Sequence, residues 1–230
     1  MENLLHYPPS VIVNRALPKK VFYDHLDMST KMRQHFTDDI ASLTWLYKLG
    51  AGTVNVATGK RIVEIDFFSA TLKDMDVDDN VFTFIDSTMP RYIVFIQCFE
   101  DKYRLLLDYK DPSDDESHPF KIIKTFKTEW LTADKLQLPI TGRTLDDVWE
   151  NFAGQISGFG TSTSENTRTI ITLEAQIAQK VRTAEALQKK IRKERQFNRQ
   201  VEMNTKARQL KREITSLEEQ IVEIKAKNNK

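Results

Sequence analysis

The sequence predicts an α+β domain with a mixed or mostly antiparallel sheet flanked by helices, followed by a C-terminal, coiled-coil-type helical arm. Most of residues 41–130 consist of β-branched and aromatic runs separated by short turns, which is typical of strands. Segments on either side carry helix-capping residues followed by apolar residues at helical spacing. Beyond residue 168, apolar residues recur every three or four positions almost to the end of the chain, which predicts the arm.

The domain is predicted to begin with two helices and to continue as a series of strands. Pro18 suits a first helical turn and favours a helix over Lys19–His25, and Ser29 is placed to cap a helix over Lys31–Ile40. Alternating or continuous apolar residues then predict strands over Ala41–Leu49, Val54–Val56, Ile62–Leu72, Tyr92–Phe99, Tyr103–Tyr109 and Phe120–Trp130.

Two more helices and one loop complete the predicted domain. A helix is predicted over Asp78–Ser87, ending before a proline. Asp111–Pro119 is acidic and polar and is predicted to be an acidic turn or a mobile loop. Thr144 is placed to cap a helix with an acidic first turn. We therefore assign residues 1–158 to the globular domain, 159–168 to a small, polar linker and 169–228 to the arm.

The arm carries two apolar stripes that differ in phase. The predicted coiled-coil interface comprises Ile177, Ala184, Leu187, Ile191, Leu210, Ile214, Leu217, Ile221 and Ile224. Counting sevens from Ile191 leads to Asn198 and Thr205 rather than Ala207, so the heptads do not continue. Two structures explain this slip: one long helix with a discontinuity, or a helical hairpin that turns near residues 196–198 and packs the two stripes together.

Charge is segregated along the chain. The net charge is +1, but twelve Lys and Arg against three Glu between Lys180 and Arg212 give that segment +9, which leaves −8 for the rest. The cations predicted to contact nucleic acid are Lys189, Lys190, Arg192, Lys193, Arg195 and Arg199. A docking surface for a partner protein and an ordinary solvated helix face are the alternatives.

Several functional classes are disfavoured by composition. Cys98 is the only cysteine, so an intrachain disulfide or a cysteine zinc cluster cannot form, and a reducing, cytoplasmic compartment is favoured. The start does not resemble a signal peptide, and no apolar stretch is long enough for a membrane span. The patterns GxxxxGK[ST], GxGxxG, GxSxG and HExxH are absent and the histidines are scattered, so we predict no cofactor or metal.

The catalytic hypothesis is a magnesium-dependent nuclease built on the acid-x-Lys sequence from Asp108 to Lys110. In such sites two carboxylates hold Mg²⁺ while a lysine stabilises developing charge. Asp101 in the preceding turn, with Glu64 and Asp66 on a neighbouring strand, would supply the other carboxylates. The hypothesis requires Asp101, Asp108 and either Glu64 or Asp66 to converge. The alternative is a structural charge pair at a strand end.

Seven segments spread over nearly the whole chain carry a family resemblance. They are LPKKVFY, WLYKL, VEIDFF with a following Leu-Lys, DYK, KTEWL, GRTLDDVWENFAGQI and KERQFNRQVEMN. Together they resemble the bacterial domain-of-unknown-function family 4391. The resemblance implies a bacterial protein often encoded near DNA methyltransferases and helicases of phage-defence or restriction-like systems, and it supplies no catalytic residues.

These observations lead to one expected function and two alternatives. We expect a non-enzymatic accessory or scaffold subunit of a bacterial DNA-targeting system, restriction-modification associated or active in phage defence. Its arm would assemble with a helicase, a methyltransferase or a second copy of the chain, or would contact the DNA backbone. The alternatives are the magnesium-dependent nuclease and a homodimeric scaffold unrelated to nucleic acid. No membrane partner is expected.

Overall fold

The structure is a computed structural model of the 230-residue chain and describes residues 3–158 and 164–228. Side chains are described for residues 3–158 and 166–226. The chain divides into two compact units, Met1–Ser164 and Glu165–Lys230. Of the predicted linker, residues 159–163 lie outside the described residues, whereas 164–168 already belong to a helix. The helical arm therefore begins earlier than predicted.

The described part of the first unit contains seven strands and four α-helices. In chain order they are β1 (Ile12–Leu17), α1 (Lys19–His25), α2 (Thr30–Asp39), β2 (Ile40–Gly50), β3 (Glu64–Leu72), α3 (Asn80–Thr88), β4 (Tyr92–Phe99), β5 (Lys102–Asp115), β6 (His118–Lys127), β7 (Leu131–Thr132) and α4 (Leu145–Ile156). The sheet order is β1-β2-β3-β4-β5-β6, with β7 paired to β5. Only β3 and β4 run parallel among the described pairs. The predicted α+β class and mostly antiparallel sheet are confirmed.

The observed elements differ from the predicted ones at three places, each for a physical reason. β1 was not predicted, because it is an edge strand whose side chains are mostly exposed and show no apolar alternation. Val54–Val56 is not a strand, since the chain turns there with the Thr53 amide bonded to the Gly50 carbonyl. The Asp111–Pro119 segment, predicted as an acidic turn or mobile loop, does turn at residues 116–117, but the residues on either side form the end of the β5–β6 hairpin, whose pairing reaches the Asp115–His118 pair.

Helices cover both faces of the sheet. On one face, helices α1, α2 and α3 bury an apolar cluster against the central strands; its largest members are Phe22, Phe36, Phe68, Phe82, Phe95 and Leu106. On the other face, α4 packs edge-on aromatic rings against the sheet: the Phe67 and Phe152 ring centroids lie 5.7 Å apart, and those of Tyr92 and Trp149 lie 5.0 Å apart. Such ring pairs add to the stability that apolar burial supplies.

Two predicted helix caps are confirmed. The Ser29 side chain accepts a hydrogen bond of 3.2 Å from the Met32 amide at the start of α2. At the start of α4, Thr144 and Asp147 form a reciprocal capping box. Both caps satisfy amides that have no partner inside the helix, which fixes where each helix begins.

The second unit is a pair of long helices, α5 (Ser164–Ile191) and α6 (Phe197–Asn228). Near the turn, the Gln200 side-chain amide donates to the Ile191 carbonyl at 3.4 Å, and farther away Lys180 pairs with Glu213 at 2.5 Å. These contacts require the helices to run antiparallel, so the alternative of one continuous helix is wrong. The chain turns at residues 192–196, where the Glu194 carboxylate accepts from the amides of Arg195 and Gln196.

The predicted interface residues are the less exposed positions of this helical pair. Ala184 and Ile221 are buried, and the rest of the set is half-buried: Ile177, Leu187, Ile191, Leu210, Ile214, Leu217 and Ile224. Two helices alone therefore cover their apolar stripes only in part. No helix in the described parts of the chain combines the length and the apolar content needed to cross a lipid bilayer.

Candidate functional site

A cleft of about 700 Å³ opens in the first unit where strands β3 and β4 begin. Its apolar wall comes from the loops beside these strands and from the β5–β6 hairpin: Val63, Pro90, Tyr92, Pro112, Pro119 and Phe120. Its charged side chains are Lys60, Arg61, Glu64, Asp66 and Arg91. Two of the acidic residues predicted from the sequence, Glu64 and Asp66, thus lie in one cavity with three cations.

Arg91 joins the two carboxylates of the cleft. One of its guanidinium nitrogens donates to Glu64 at 2.8 Å and to Asp66 at 2.7 Å, and Lys48 forms a further ion pair with Glu64. Asp66 is only 1% exposed, and burial raises the pKa of its carboxyl to about 6 against the opposing effect of Arg91. Its Oδ1 atom has no hydrogen-bond partner among the described residues. Asp66 is therefore a buried acceptor with one of its two carboxylate oxygens unpaired among the described residues.

Behind the cleft, Lys110 and Asp86 form an ion pair with no solvent exposure. The Lys110 ammonium lies 2.6 Å from the Asp86 carboxylate, and it also donates to the carbonyls of Asp86 and Arg91 at 3.1 and 2.7 Å. Burial raises the pKa of Asp86 to about 7 and lowers the pKa of Lys110. In this arrangement the Lys110 ammonium is fully engaged inside the domain.

Asp108 also lies inside the domain, on the α3 side of the sheet. Its Oδ1 accepts hydrogen bonds from Thr125 at 2.5 Å and from Thr83 of α3 at 3.4 Å, and burial raises its pKa. Asp108 and Asp66 lie in strands separated by β4. Asp101, in contrast, is exposed in the turn between β4 and β5. It precedes Asp108 by seven residues, about 24 Å along an extended strand.

The residues named in the nuclease hypothesis therefore lie at separate places in the structure. Glu64 and Asp66 meet at Arg91, Lys110 pairs with Asp86, Asp108 binds two threonines, and Asp101 is remote. Within residues 3–158 and 166–226, no group of three or more His, Cys, Asp or Glu side chains is placed to hold a metal ion. The convergence that the nuclease hypothesis requires is not found in the described geometry.

In the second unit, basic residues cluster where the chain passes from α5 to α6. The six cations predicted from the sequence are all exposed, and they lie in the connection between the helices or within three residues of it: Lys189, Lys190, Arg192, Lys193, Arg195 and Arg199. In the described part of the chain none of them has a carboxylate within ion-pair distance. Phe197, the first residue of α6, is 75% exposed beside them. We call residues 189–199 the basic turn.

A family model described as a domain of unknown function (DUF4391) matches residues 5–214. The chain belongs to this family. The match includes the cleft, the basic turn and the first half of α6, so both sites are part of the DUF4391 domain. No curated protein and no solved structure matches the chain.

Sequence reasoning missed three residues that organise the cleft of this DUF4391 protein: Arg91, Asp86 and Asp146. The Asp146 carboxylate accepts hydrogen bonds from the amides of Lys60 and Ile62, each at 2.9 Å, and so fixes the cleft loop to the start of α4. Asp86 had a sequence signal, because it is a lone acid among the apolar residues of α3. Asp146 was predicted only as an acidic residue in the first turn of α4, and its contact with the cleft loop was not predicted. Arg91 had no sequence signal, since its partners are distant in sequence.

Proposed function

We propose that this DUF4391 protein is a non-enzymatic accessory subunit of a bacterial DNA-targeting system, of the phage-defence or restriction-like kind. It contacts the nucleic-acid backbone through the basic turn. The observation that carries the proposal is the concentration of six exposed cations, free of ion pairs with described carboxylates, within residues 189–199. Displacing condensed counterions from phosphates with such cations is the main source of sequence-independent binding to DNA.

Helix stability explains only part of this charge. Lys189 and Lys190 lie in the last turn of α5, where cations interact favourably with the negative end of the helix dipole. Arg199 lies in the first turn of α6, where the dipole disfavours a cation, and no acidic residue occupies that turn. Arg192, Lys193 and Arg195 lie between the helices. A nucleic-acid contact accounts for the cations that the helices themselves do not need.

Phe197 supports the same interpretation. A phenyl ring with 75% exposure gains little from folding, yet it lies among cations at the start of α6. Aromatic side chains next to a basic surface stack on unpaired bases in proteins that bind single strands. The basic turn is therefore suited to a DNA region that is at least partly unpaired, as next to a helicase or at a flipped base.

The helical pair also supplies the assembly surface. We interpret α5 and α6 as a coiled-coil-type hairpin whose half-buried stripes leave apolar area for a partner, either a helicase or methyltransferase of the same system or a second copy. The proposal places the protein in the cytoplasm, where Cys98 is a free thiol. The cleft is not needed for this function.

Two triple variants with equal charge change test the proposal. In the turn variant, Arg192, Lys193 and Arg195 are replaced by glutamine, and in the matched control Arg208, Lys211 and Arg212 of α6 are replaced by glutamine. Binding of the full-length protein to a labelled duplex with a single-stranded overhang is measured by fluorescence anisotropy at several salt concentrations. Each lost phosphate contact reduces the slope of log K against log salt by roughly 0.9 for duplex DNA and 0.7 for a single strand.

The proposal expects the turn variant to bind at least about tenfold more weakly at low salt and to lose roughly two to three units of slope. The control variant should keep its slope within about one unit. Equal losses in the two variants would show that only net charge matters, and an unchanged slope in the turn variant would remove these residues from the interface. Either outcome overturns the proposal.

A further inference from the structure

We infer that the cleft at the start of β3 and β4 is a binding site for a guanine nucleotide, recognised through the carboxylate of Asp66. The cleft belongs to the first unit alone, and its binding does not depend on the basic turn. The volume of the cleft, about 700 Å³, lies within the range of small-molecule sites. Apolar walls with a few converging polar groups are the composition that such sites show.

The unsatisfied oxygen of Asp66 indicates that a donor is missing. Asp66 lines the cleft with 1% exposure, its Oδ2 accepts from Arg91, and its Oδ1 has no partner among the described residues. A buried acceptor without a hydrogen bond costs free energy that a bound N–H group would recover. An anionic ligand group cannot fill this role, because an ionised carboxylate accepts hydrogen bonds and does not donate them.

Guanine fits this acceptor best among the common bases. Its ring N1–H and its 2-amino group are adjacent donors on one edge, and they match the two oxygens of a carboxylate in a bidentate pair. Asp66 Oδ2 keeps a free lone pair besides the one that Arg91 uses. Adenine and cytosine present one donor beside an acceptor, and uracil presents one donor between two acceptors. Each of these bases would place an acceptor against a carboxylate oxygen and leave polar groups unpaired, so the site should bind it much more weakly than guanine.

The remaining side chains of the cleft suit the rest of a nucleotide. Val63, Pro112 and Phe120 offer an apolar wall for a planar base, and Val63 is 67% exposed at its rim. Lys60 is an exposed cation, and Asp146 holds its backbone amide in place at 2.9 Å. Lys60 therefore supplies positive charge for a phosphate, whereas Arg91 stays paired with Glu64 and Asp66.

The affinity should depend on pH in a defined direction. Asp66 faces Glu64 of its own strand, Arg91 before β4 and Lys48 of β2, and its pKa is raised to about 6 chiefly by burial. Above that pH the carboxylate accepts both guanine donors. Below it the protonated carboxyl loses one acceptor, so guanine binding weakens as the pH falls from 7.5 to 5.

Isothermal titration calorimetry of the full-length protein tests the inference, with guanosine, adenosine, cytidine and uridine 5′-monophosphates as probes. Two variants at the accessible rim, Lys60→Glu and Val63→Trp, disrupt the site without replacing a buried group, and Lys20→Glu on the exposed surface of α1 is the matched control. A 5′-phosphorylated dinucleotide that starts with guanosine shows whether the ligand is a free nucleotide or a strand end.

The expected result is one saturable site for guanosine 5′-monophosphate, with affinity at least about tenfold above that for the other three. Lys60→Glu and Val63→Trp should each weaken binding at least about tenfold, Lys20→Glu should not, and affinity should fall at pH 5. No binding at millimolar concentration, equal binding of all four nucleotides, or binding that neither rim variant changes would overturn the inference. A failure of the basic-turn experiment would leave these outcomes unaffected.

Discussion

Lys110 and Asp86 form a 2.6 Å ion pair with no exposure of either side chain, between β5 and α3. The lysine that the sequence suggests for catalysis thus holds a helix to the sheet. Two charges inside a domain cost free energy that their mutual attraction and extra hydrogen bonds offset. The Lys110 ammonium has two such bonds, to the carbonyls of Asp86 and Arg91. The pair therefore fixes the start of β4, where the cleft opens.

Lys110→Met should destabilise the first unit strongly, because it leaves the Asp86 carboxylate buried without its counterion. Breaking a buried pair typically lowers the free energy of unfolding by about 3–5 kcal/mol. The double variant Lys110→Met/Asp86→Leu removes both charges and should recover most of this loss. Urea unfolding followed by circular dichroism measures both effects, and additive losses in the double variant would contradict a specific ion pair.

Asp66→Asn should change how stability depends on pH. The folded state raises the pKa of Asp66 from 3.8 to about 6, so it binds this proton more tightly than the unfolded chain does. The stabilising contribution of the neutral carboxyl is present below about pH 4 and is lost as the pH rises through about 6. Relative to Asp66→Asn, the wild type should lose about 2 kcal/mol of unfolding free energy between pH 4 and pH 7. Urea titrations of both proteins across this range measure it, and a constant difference would refute it.

Gly59→Ala should loosen the cleft loop. An added Cβ would lie 2.1 Å from the Asp146 carboxylate, which must then move away from the amides of Lys60 and Ile62. Losing such charge-assisted hydrogen bonds lowers the unfolding free energy by about 1–3 kcal/mol. Gly52→Ala is the matched control, because nothing lies within 4 Å of its added Cβ. Thermal unfolding compares the two, and equal melting temperatures would show that Asp146 does not fix this loop.

Leu187→Asp and Leu210→Asp should each separate α5 from α6. Both leucines are half-buried in the same groove between the helices, where an unpaired carboxylate is disfavoured. Val222→Asp is the control, since Val222 is 65% exposed. Hydrogen exchange in α6 should become at least about fivefold faster in the two leucine variants, which corresponds to roughly 1 kcal/mol of local stability. Unchanged exchange would show that the helices are not held by these contacts.

Phe197→Ala should weaken binding to single-stranded DNA more than to duplex DNA. Loss of base stacking costs about 1–3 kcal/mol per base, roughly a five- to 150-fold loss of affinity. Val201→Ala is the control, because Val201 is a nearby exposed apolar residue without an aromatic ring. Fluorescence anisotropy with matched single and double strands measures the difference. An equal effect on both strands would argue against stacking by Phe197.

Features that depend on local chemistry were predictable from the amino-acid sequence. Ser29 and Thr144 cap their helices as predicted, because a cap needs only a hydroxyl next to free amides. The strand Tyr92–Phe99 was predicted with its observed bounds, since a continuous β-branched and aromatic run is buried on both faces. The phase slip after Ile191 was compatible with one long helix or with a hairpin, and the break between α5 and α6 shows that the hairpin is correct. The cations of the basic turn were identified from the sequence, because charged side chains on a polar segment are expected to be exposed.

Which charged residues come into contact depends on the three-dimensional fold. The acid-x-Lys pattern from Asp108 to Lys110 is present in the sequence, but pairing across the sheet sends Lys110 to Asp86 and leaves Asp101 exposed. Arg91 reaches Glu64 and Asp66 because β3 and β4 run parallel and begin side by side. Helix capping and apolar periodicity involve residues that are close in sequence, so they can be recognised from the sequence. Ion pairs between distant residues depend on strand order and burial, which the sequence pattern does not reveal.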